Sequence, residues 1–130
     1  MAALTETRNT AELHVGGVHY SYHREAAATV YAGALAAQNA DGKAVPASDA
    51  AGLVVLGRAE TTANAGFGVV IRKGAFLYNN GTDTEALTAA DIGGTCYVVD
   101  DNTVGKVGGT NKVKAGTVLD VTEDGVAVLI

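Results

Sequence analysis

Apolar and polar positions fall into two regimes along this chain. Residues Met1 to Glu12 are polar, with Thr5, Thr7 and Thr10 set among charged residues, and they follow neither a period of 2 nor one of 3.6. That stretch reads as a flexible, extended N-terminal arm over 1–12. From Leu13 the grammar becomes that of strands. Val15, Val18, Tyr20 and Tyr22 lie in a segment broken by Gly16-Gly17. Around Tyr20 the alternation puts Tyr20 and Tyr22 on one face and His19, Ser21 and His23 on the other. Glu25 to Ala40 is rich in alanine and has helix propensity. Within it, however, Thr29-Val30-Tyr31 favours extended backbone and Gly33 interrupts, so the pattern predicts one strand near Thr29–Tyr31 and another near Leu35–Gln38.

Beyond it the punctuation is regular. Asn39-Ala40-Asp41-Gly42 is a turn with a good hairpin tip at Asp41-Gly42. Lys43 to Pro46 is a short strand with Pro46 at an edge, and the apolar run Leu53 to Ala59 is a central strand. Asn64-Ala65-Gly66 is a loop. Phe67–Arg72 and Ala75–Tyr78 are expected to pair as a hairpin around Lys73-Gly74, before a turn at Asn79-Asn80-Gly81. Leu87 to Ile92 carries the one helical signal: Thr88 and Asp91 form a Thr-x-x-Asp capping pattern, and Gly93-Gly94 stops the helix after about one turn. Strands follow at Thr95–Val99 and Thr103–Val107, the latter ahead of the loop Gly108–Asn111. Thr117–Val121 and Val126–Ile130 close as a hairpin across Asp124-Gly125. Strands separated by turns every 8 to 12 residues describe a mainly β fold, a small antiparallel β-sandwich or barrel with one short helix and the extended N-terminal arm. The expected organisation is the arm, 1–12, followed by a single β domain, 13–130, which suits a chain of 130 residues.

Composition sharpens this reading. The apolar share is 48%, but Ala supplies 24 residues and Val, Leu, Ile and Phe together only 31, so the side chains fit thin layers of strands rather than a thick helical bundle. Val (17) and Thr (14) are stiff at χ1 and favour strands. A net charge of −5, with nine scattered basic residues, argues against a general nucleic-acid binder. No apolar run approaches the roughly 20 residues that span a bilayer, and Met1 to Thr10 has no signal-peptide h-region. The expectation is therefore no nucleic acid, no membrane, and synthesis in a cytoplasm.

Candidate chemistry is sparse. Gly105-Lys106 lacks the upstream glycine and the following Ser or Thr of a phosphate loop, and Gly66-Phe67-Gly68 has no third glycine. His19 and His23 share a strand face at about 13 Å, too far apart for one metal, and His14 has no fixed relation to them. Asp100-Asp101-Asn102 lacks the further oxygen ligands of a calcium loop, and Asp83 and Glu85 flank a loop without forming an acid–base pair. Ser21 and Ser48 lack a nucleophile elbow. Cys96 has no basic neighbour in Gly93–Asp101 and reads as a small buried hydrophobe. Phe67, Phe76, Tyr78 and Tyr97 also read as buried. No catalytic, cofactor-binding or metal-binding residue, and no cofactor, is expected; the chain reads as a non-enzyme.

Five stretches carry a resemblance: Ala27-Ala28-Thr29-Val30-Tyr31-Ala32-Gly33; Leu53-Val54-Val55-Leu56-Gly57-Arg58-Ala59-Glu60; Val69-Val70-Ile71-Arg72-Lys73-Gly74; Thr88-Ala89-Ala90-Asp91-Ile92-Gly93 with Cys96-Tyr97-Val98-Val99-Asp100-Asp101; and Ala115-Gly116-Thr117-Val118. Over about Tyr20 to Ile130 the chain resembles the capsid decoration, or cement, proteins of tailed phages and prophages, whose relatives often carry the label "predicted recombinase". The motifs are structural rather than chemical. The resemblance implies a virion protein on the outer capsid surface, made in the host bacterial cytoplasm. Such a protein binds the major capsid protein and itself, as dimer or trimer, and stabilises the mature head without catalysis. The recombinase label finds no nucleotide loop and no basic stripe here. Two contact regions are expected on physical grounds: the arm, through Leu4, Thr5, Thr7, Arg8 and Thr10, which can add a strand to a partner's sheet edge, and Tyr20 with Tyr22, since tyrosine anchors interfaces. A different virion module, in a tail or fibre and contacting carbohydrate, is the alternative.

Overall fold

In a computed structural model, residues 20–130 are described. The arm residues Leu4, Thr5, Thr7, Arg8 and Thr10, together with His14 and His19, lie outside the described residues. Ten strands follow in order: β1 (Ser21–Glu25), β2 (Leu35–Gln38), β3 (Ala44–Pro46), β4 (Val54–Ala59), β5 (Gly68–Arg72), β6 (Ala75–Asn80), β7 (Thr95–Asp100), β8 (Thr103–Gly105), β9 (Lys114–Thr122) and β10 (Gly125–Leu129). The mainly β expectation holds. The strands form a five-stranded antiparallel sheet, β1-β5-β4-β2-β3, and a closed five-stranded barrel, β10-β6-β8-β7-β9, in which β6 and β8 run parallel. No helix among the described residues is long and apolar enough to cross a membrane.

The open sheet curls until its two edges touch at one corner. Ala26 on the β1 side bridges Ala44 of β3, the Ala27 N–H donates to the Ala44 carbonyl at 2.8 Å, and Lys43 pairs with Glu25 at 3.4 Å. So tight a curl leaves room mainly for small side chains. Its interior is Ala26, Val30, Ala34, Ala36, Ala44, Leu56, Ala59, Ala63, Val69 and Ile71. The alanine richness that inflates the apolar fraction is therefore a packing feature of this half. The barrel holds a bulkier core that includes Phe76, Tyr78, Val98, Val104, Val118, Val126 and Val128.

β2 belongs to both cores. Side chains alternate across a strand, and here Leu35 and Ala37 join the barrel's cluster while Ala34 and Ala36 join the smaller one. The backbone of Leu35 strengthens the joint: its N–H donates to the Asp101 carbonyl at 2.7 Å, and its carbonyl accepts the Ala47 N–H at 2.8 Å. A second joint is electrostatic. Glu60 accepts from Arg58 Nη2 and Arg72 Nε, both at 2.9 Å, and the two guanidiniums lie 4.3 Å and 5.5 Å from the centre of the Phe76 ring, which belongs to the barrel core.

Several strands match the expected positions, among them Leu35–Gln38, the edge strand ending at Pro46, and the terminal hairpin across Asp124-Gly125. Other expectations need correction. Thr29–Tyr31 forms no strand; Val30 alone bridges Ala63. The hairpin around Lys73-Gly74 does not form, because β5 pairs with β1 and β4 whereas β6 pairs with β10 and β8. Gly74 instead carries the chain from one sheet to the other. Its carbonyl accepts the Ile130 N–H at 2.9 Å, and a Cβ there would stand 3.1 Å from the Phe76 ring. The helix expected over Leu87–Ile92 is a single 3-10 turn at Ala89–Asp91, with the Thr88 N–H donating to Asp91 Oδ2 at 2.8 Å as the capping pattern requires. A second 3-10 turn at Asp83–Glu85 was not anticipated. The strand expected over Thr103–Val107 stops at Gly105, because the N–H groups of Lys106 and Val107 both donate to Glu85.

Candidate partner-binding surface

The structure brings Tyr20 and Tyr22 together at the edge of the open sheet. Their rings meet edge to face with centroids 5.0 Å apart, a favourable geometry for aromatic pairs. Tyr20 is 41% exposed, whereas Tyr22 is half-buried against the smaller core. Two cations flank the Tyr22 ring, Arg24 at 5.2 Å and Lys73 at 6.0 Å. The pair thus combines an anchored ring, an exposed ring and positive charge.

The backbone beside it is uncovered by any strand among the described residues, with the His23 carbonyl accepting from Arg24 Nη1 at 3.1 Å. In an antiparallel pair, successive residues point their N–H and C=O groups alternately toward and away from the partner. The Tyr20 carbonyl accepts the Lys73 N–H at 3.0 Å, and the Ala26 N–H donates to the Phe67 carbonyl at 2.8 Å, so the even-numbered residues of β1 face β5. Ser21 and His23 therefore direct their backbone groups outward, along an edge that no other strand among the described residues covers. The other edge of the sheet, β3, ends in Pro46 and is capped at Ala44 by the Ala26–Ala27 corner.

Other exposed apolar side chains escaped the sequence reading. Phe67, expected in the core, is 67% exposed, and Tyr31 is 63% exposed. They project from two loops held together by the Val30–Ala63 bridge and by Thr29 Oγ1 donating to Asn64 Oδ1 at 3.3 Å. The signal for Phe67 was its setting between Gly66 and Gly68, which places it in a turn rather than in the strand that follows. Tyr97, also expected in the core, is only half-buried, while Phe76 and Tyr78 are buried as expected.

Two carboxylates, Glu85 and Asp49, hold the backbone of one loop. Glu85 Oε1 accepts the N–H groups of Val107 and Gly108, both at 2.8 Å. The Asp49 carboxylate accepts those of Thr110 at 3.0 Å and Asn111 at 2.8 Å, and these two bonds, Thr110's first, hold its pKa below the ordinary aspartate value. The loop 106–111 is thereby clasped from two sides. Gly109, at φ +60°, lies so close to the Asp49 carboxylate that a Cβ would collide with it. Burial works against the charge on Glu60, but its bonds to Arg58 and Arg72 prevail and hold its pKa below the usual value. Cys96 is fully buried, and burial pushes its thiol up to about 11. Burial likewise pushes the Tyr78 phenol up; its hydroxyl has no hydrogen-bond partner in the core. Among the described residues, no three His, Cys, Asp or Glu side chains cluster in a way that could hold a metal ion.

No protein-family model matches the chain, and neither a curated protein nor a solved structure matches it.

Proposed function

We propose that this chain is a virion structural protein of the decoration type, binding the outer surface of a shell built from the major capsid protein and stabilising the mature head. The observation that carries the reading is the open β1 edge, where the outward backbone groups of Ser21 and His23, the Tyr20–Tyr22 pair and the starting point of residues 1–19 coincide. Such an edge accepts or donates a strand by main-chain pairing, with tyrosine as anchor. The family resemblance over Tyr20 to Ile130 supports the same reading, as does the engagement of Asp49, Glu60 and Glu85 in structural bonds. A repeated lattice multiplies modest contacts, so a single weak site suffices. The partners in this reading are the major capsid protein and further copies of this chain.

The test is binding of the purified protein to mature capsids. Capsids without it should lose heat tolerance and regain it on addition. Failure to bind, with unaltered heat tolerance, would refute the reading. Deleting residues 1–12 should weaken capsid occupancy while leaving the circular dichroism of the folded domain unchanged; full occupancy by the truncated protein would remove the arm from the interface.

A second reading, a tail or fibre module that contacts carbohydrate, draws on exposed Phe67 and Tyr31 at neighbouring loops. Exposed aromatic faces of this kind suit a sugar's apolar side. Binding on a glycan array, abolished by Phe67→Ala, would favour it over decoration.

A further inference from the structure

The two edges of the open sheet differ in what they leave free. At β3 the edge ends in Pro46, and the Ala44 carbonyl accepts the Ala27 N–H at 2.8 Å. The barrel closes on itself and has no edge. At β1 the outward backbone groups belong to the odd-numbered residues, and the corner made by Lys43 and Ala44 occupies the place beside Glu25. What no strand among the described residues covers is short: the N–H and C=O groups of Ser21 and His23. These two residues sit symmetrically about Tyr22.

We infer that this edge pairs with the same edge of a second copy of the chain, antiparallel, about a two-fold axis that passes beside Tyr22. The inference rests on the reading of β1 as a strand-pairing edge and names its partner. An edge that meets its own copy makes an isologous contact, which closes as a dimer. The free length selects the register. With Tyr22 opposite the second copy's Tyr22, Ser21 faces the second copy's His23, and His23 faces its Ser21. Each of these is a hydrogen-bonded pair, exchanging two N–H···O bonds. A register centred on His23 would instead set imidazole against imidazole and would need the outward groups of Glu25, where the Lys43–Ala44 corner already stands. A register centred on Ser21 would leave His23 without a partner among the described residues.

The side chains are electrostatically complementary in the same register. On the even-numbered face Arg24 lies opposite the second copy's Tyr20, in a non-hydrogen-bonded pair whose side chains are close. Within one chain, Arg24 and Lys73 both lie over Tyr22, at 5.2 Å and 6.0 Å, while Tyr20 is 41% exposed. Arg24 Nη1 donates to the His23 carbonyl at 3.1 Å, which holds the guanidinium on the outward side of the edge, where the second copy's Tyr20 arrives. A guanidinium is attracted to the face of a tyrosine ring, and the two-fold makes the contact twice. The His23 carbonyl keeps a second lone pair for the incoming Ser21 N–H. Pairing also covers an edge that would otherwise stay open to unspecific strand addition.

The test uses the full chain and needs no capsid. Sedimentation equilibrium should show a reversible monomer–dimer equilibrium. His23→Pro removes an outward N–H from each chain and should raise the dimer Kd about tenfold or more, with the parent's circular dichroism retained. Arg24→Gln, which discards the cation, should raise it about tenfold. Disulfide trapping reads the register. Ser21→Cys chains mixed with His23→Cys chains should cross-link on oxidation, since the Cα atoms of such a pair stand about 5.5 Å apart. Either variant alone should not, because the two-residue offset puts the like Cα atoms about 9 Å apart, beyond disulfide reach. Cys96 is buried and takes no part. A chain that stays monomeric at every concentration, a trimer, an unchanged Kd in both His23→Pro and Arg24→Gln, or cross-linking as strong within one variant as in the mixture overturns the inference. A dimer that does not bind capsids refutes the decoration reading alone, and a monomer that binds them refutes the two-fold edge alone.

Discussion

Leu35→Ala tests whether one strand holds the two halves of the fold together. The Leu35 side chain is 0% exposed and belongs to the barrel's core although its strand lies in the open sheet. Removing three carbons forfeits about 2.4 kcal/mol of transfer free energy at roughly 0.8 kcal/mol per methylene. The cavity left behind adds to this unless the surroundings collapse, which takes the range for such changes to about 2.7–5 kcal/mol. Collapse is hindered here, because the cluster is built from Val98, Val104, Val118, Val126 and Val128, stiff side chains on laddered strands. The expected loss is therefore about 4 kcal/mol, a large part of the 5–15 kcal/mol typical of a domain. The backbone bonds of Leu35 to Asp101 and Ala47 survive the substitution, so the measurement reports the side chain. Urea unfolding followed by circular dichroism should show a midpoint lower by about 2 M with an unchanged slope. Leu77→Ala, at a position 58% exposed, is the control and should change little. A loss for Leu35→Ala no larger than the control's would refute the shared-strand account.

Glu60→Gln should cost about 1–2 kcal/mol, the worth of charge-assisted bonds discounted for a side chain 29% exposed, because Arg58 and Arg72 then face each other beside Phe76 without a counter-charge. Since the folded pKa of Glu60 is depressed, its contribution is present above the unfolded value near ~4.3 and is lost as the pH falls through the lower folded value. Urea titrations at stepped pH should therefore show a shallower acid decline for Glu60→Gln than for the parent, and equal declines would refute the assignment. Cys96, with its thiol pushed up to about 11 and its side chain buried, should resist a maleimide at pH 8 until urea unfolds the chain; rapid labelling of the native protein would contradict that burial.

Local rules were legible where sequence neighbours decide the structure. The turn at Asn39–Gly42 closes through Asn39 Oδ1, which accepts the N–H groups of Asp41 and Lys43 at 3.0 Å, as the residue types foretell. The Thr88–Asp91 cap and the Asp124-Gly125 hairpin are equally local. The division into two sheets was hidden, because pairing partners are distant in sequence and a Lys-Gly step reads the same in a hairpin as in a crossover. The fate of Gly74 depends on Ile130 and Phe76, which no window around it contains. Thr29–Tyr31 had strand propensity but found only one bridge, to Ala63. In the surface region, the Tyr20–Tyr22 face was legible from alternation alone. The clasp of the 106–111 loop by Asp49 and Glu85 was not, since Asp49 acts across more than sixty positions.

The open β1 edge makes a prediction that separates backbone recognition from side-chain recognition. Exposed strand edges are ordinarily blunted or covered, and this sheet does so at β3 with Pro46 and the Ala26–Ala44 corner. At β1 no strand among the described residues covers Ser21 and His23, although the His23 carbonyl accepts from Arg24 Nη1 at 3.1 Å. Proline at His23 removes one outward N–H and leaves the ladder to β5 intact, because the bonds to β5 come from the even-numbered residues. Proline at Tyr22 removes an inward donor and should detach β1 from the sheet. His23→Ala keeps the backbone donor and discards only the exposed imidazole. If partners pair with this edge, His23→Pro should abolish binding in a co-sedimentation assay with capsids while retaining the parent's circular dichroism, and His23→Ala should bind like the parent. Equal binding by both variants would show that the edge is not used, and equal loss in both would place the recognition in the imidazole instead of the main chain.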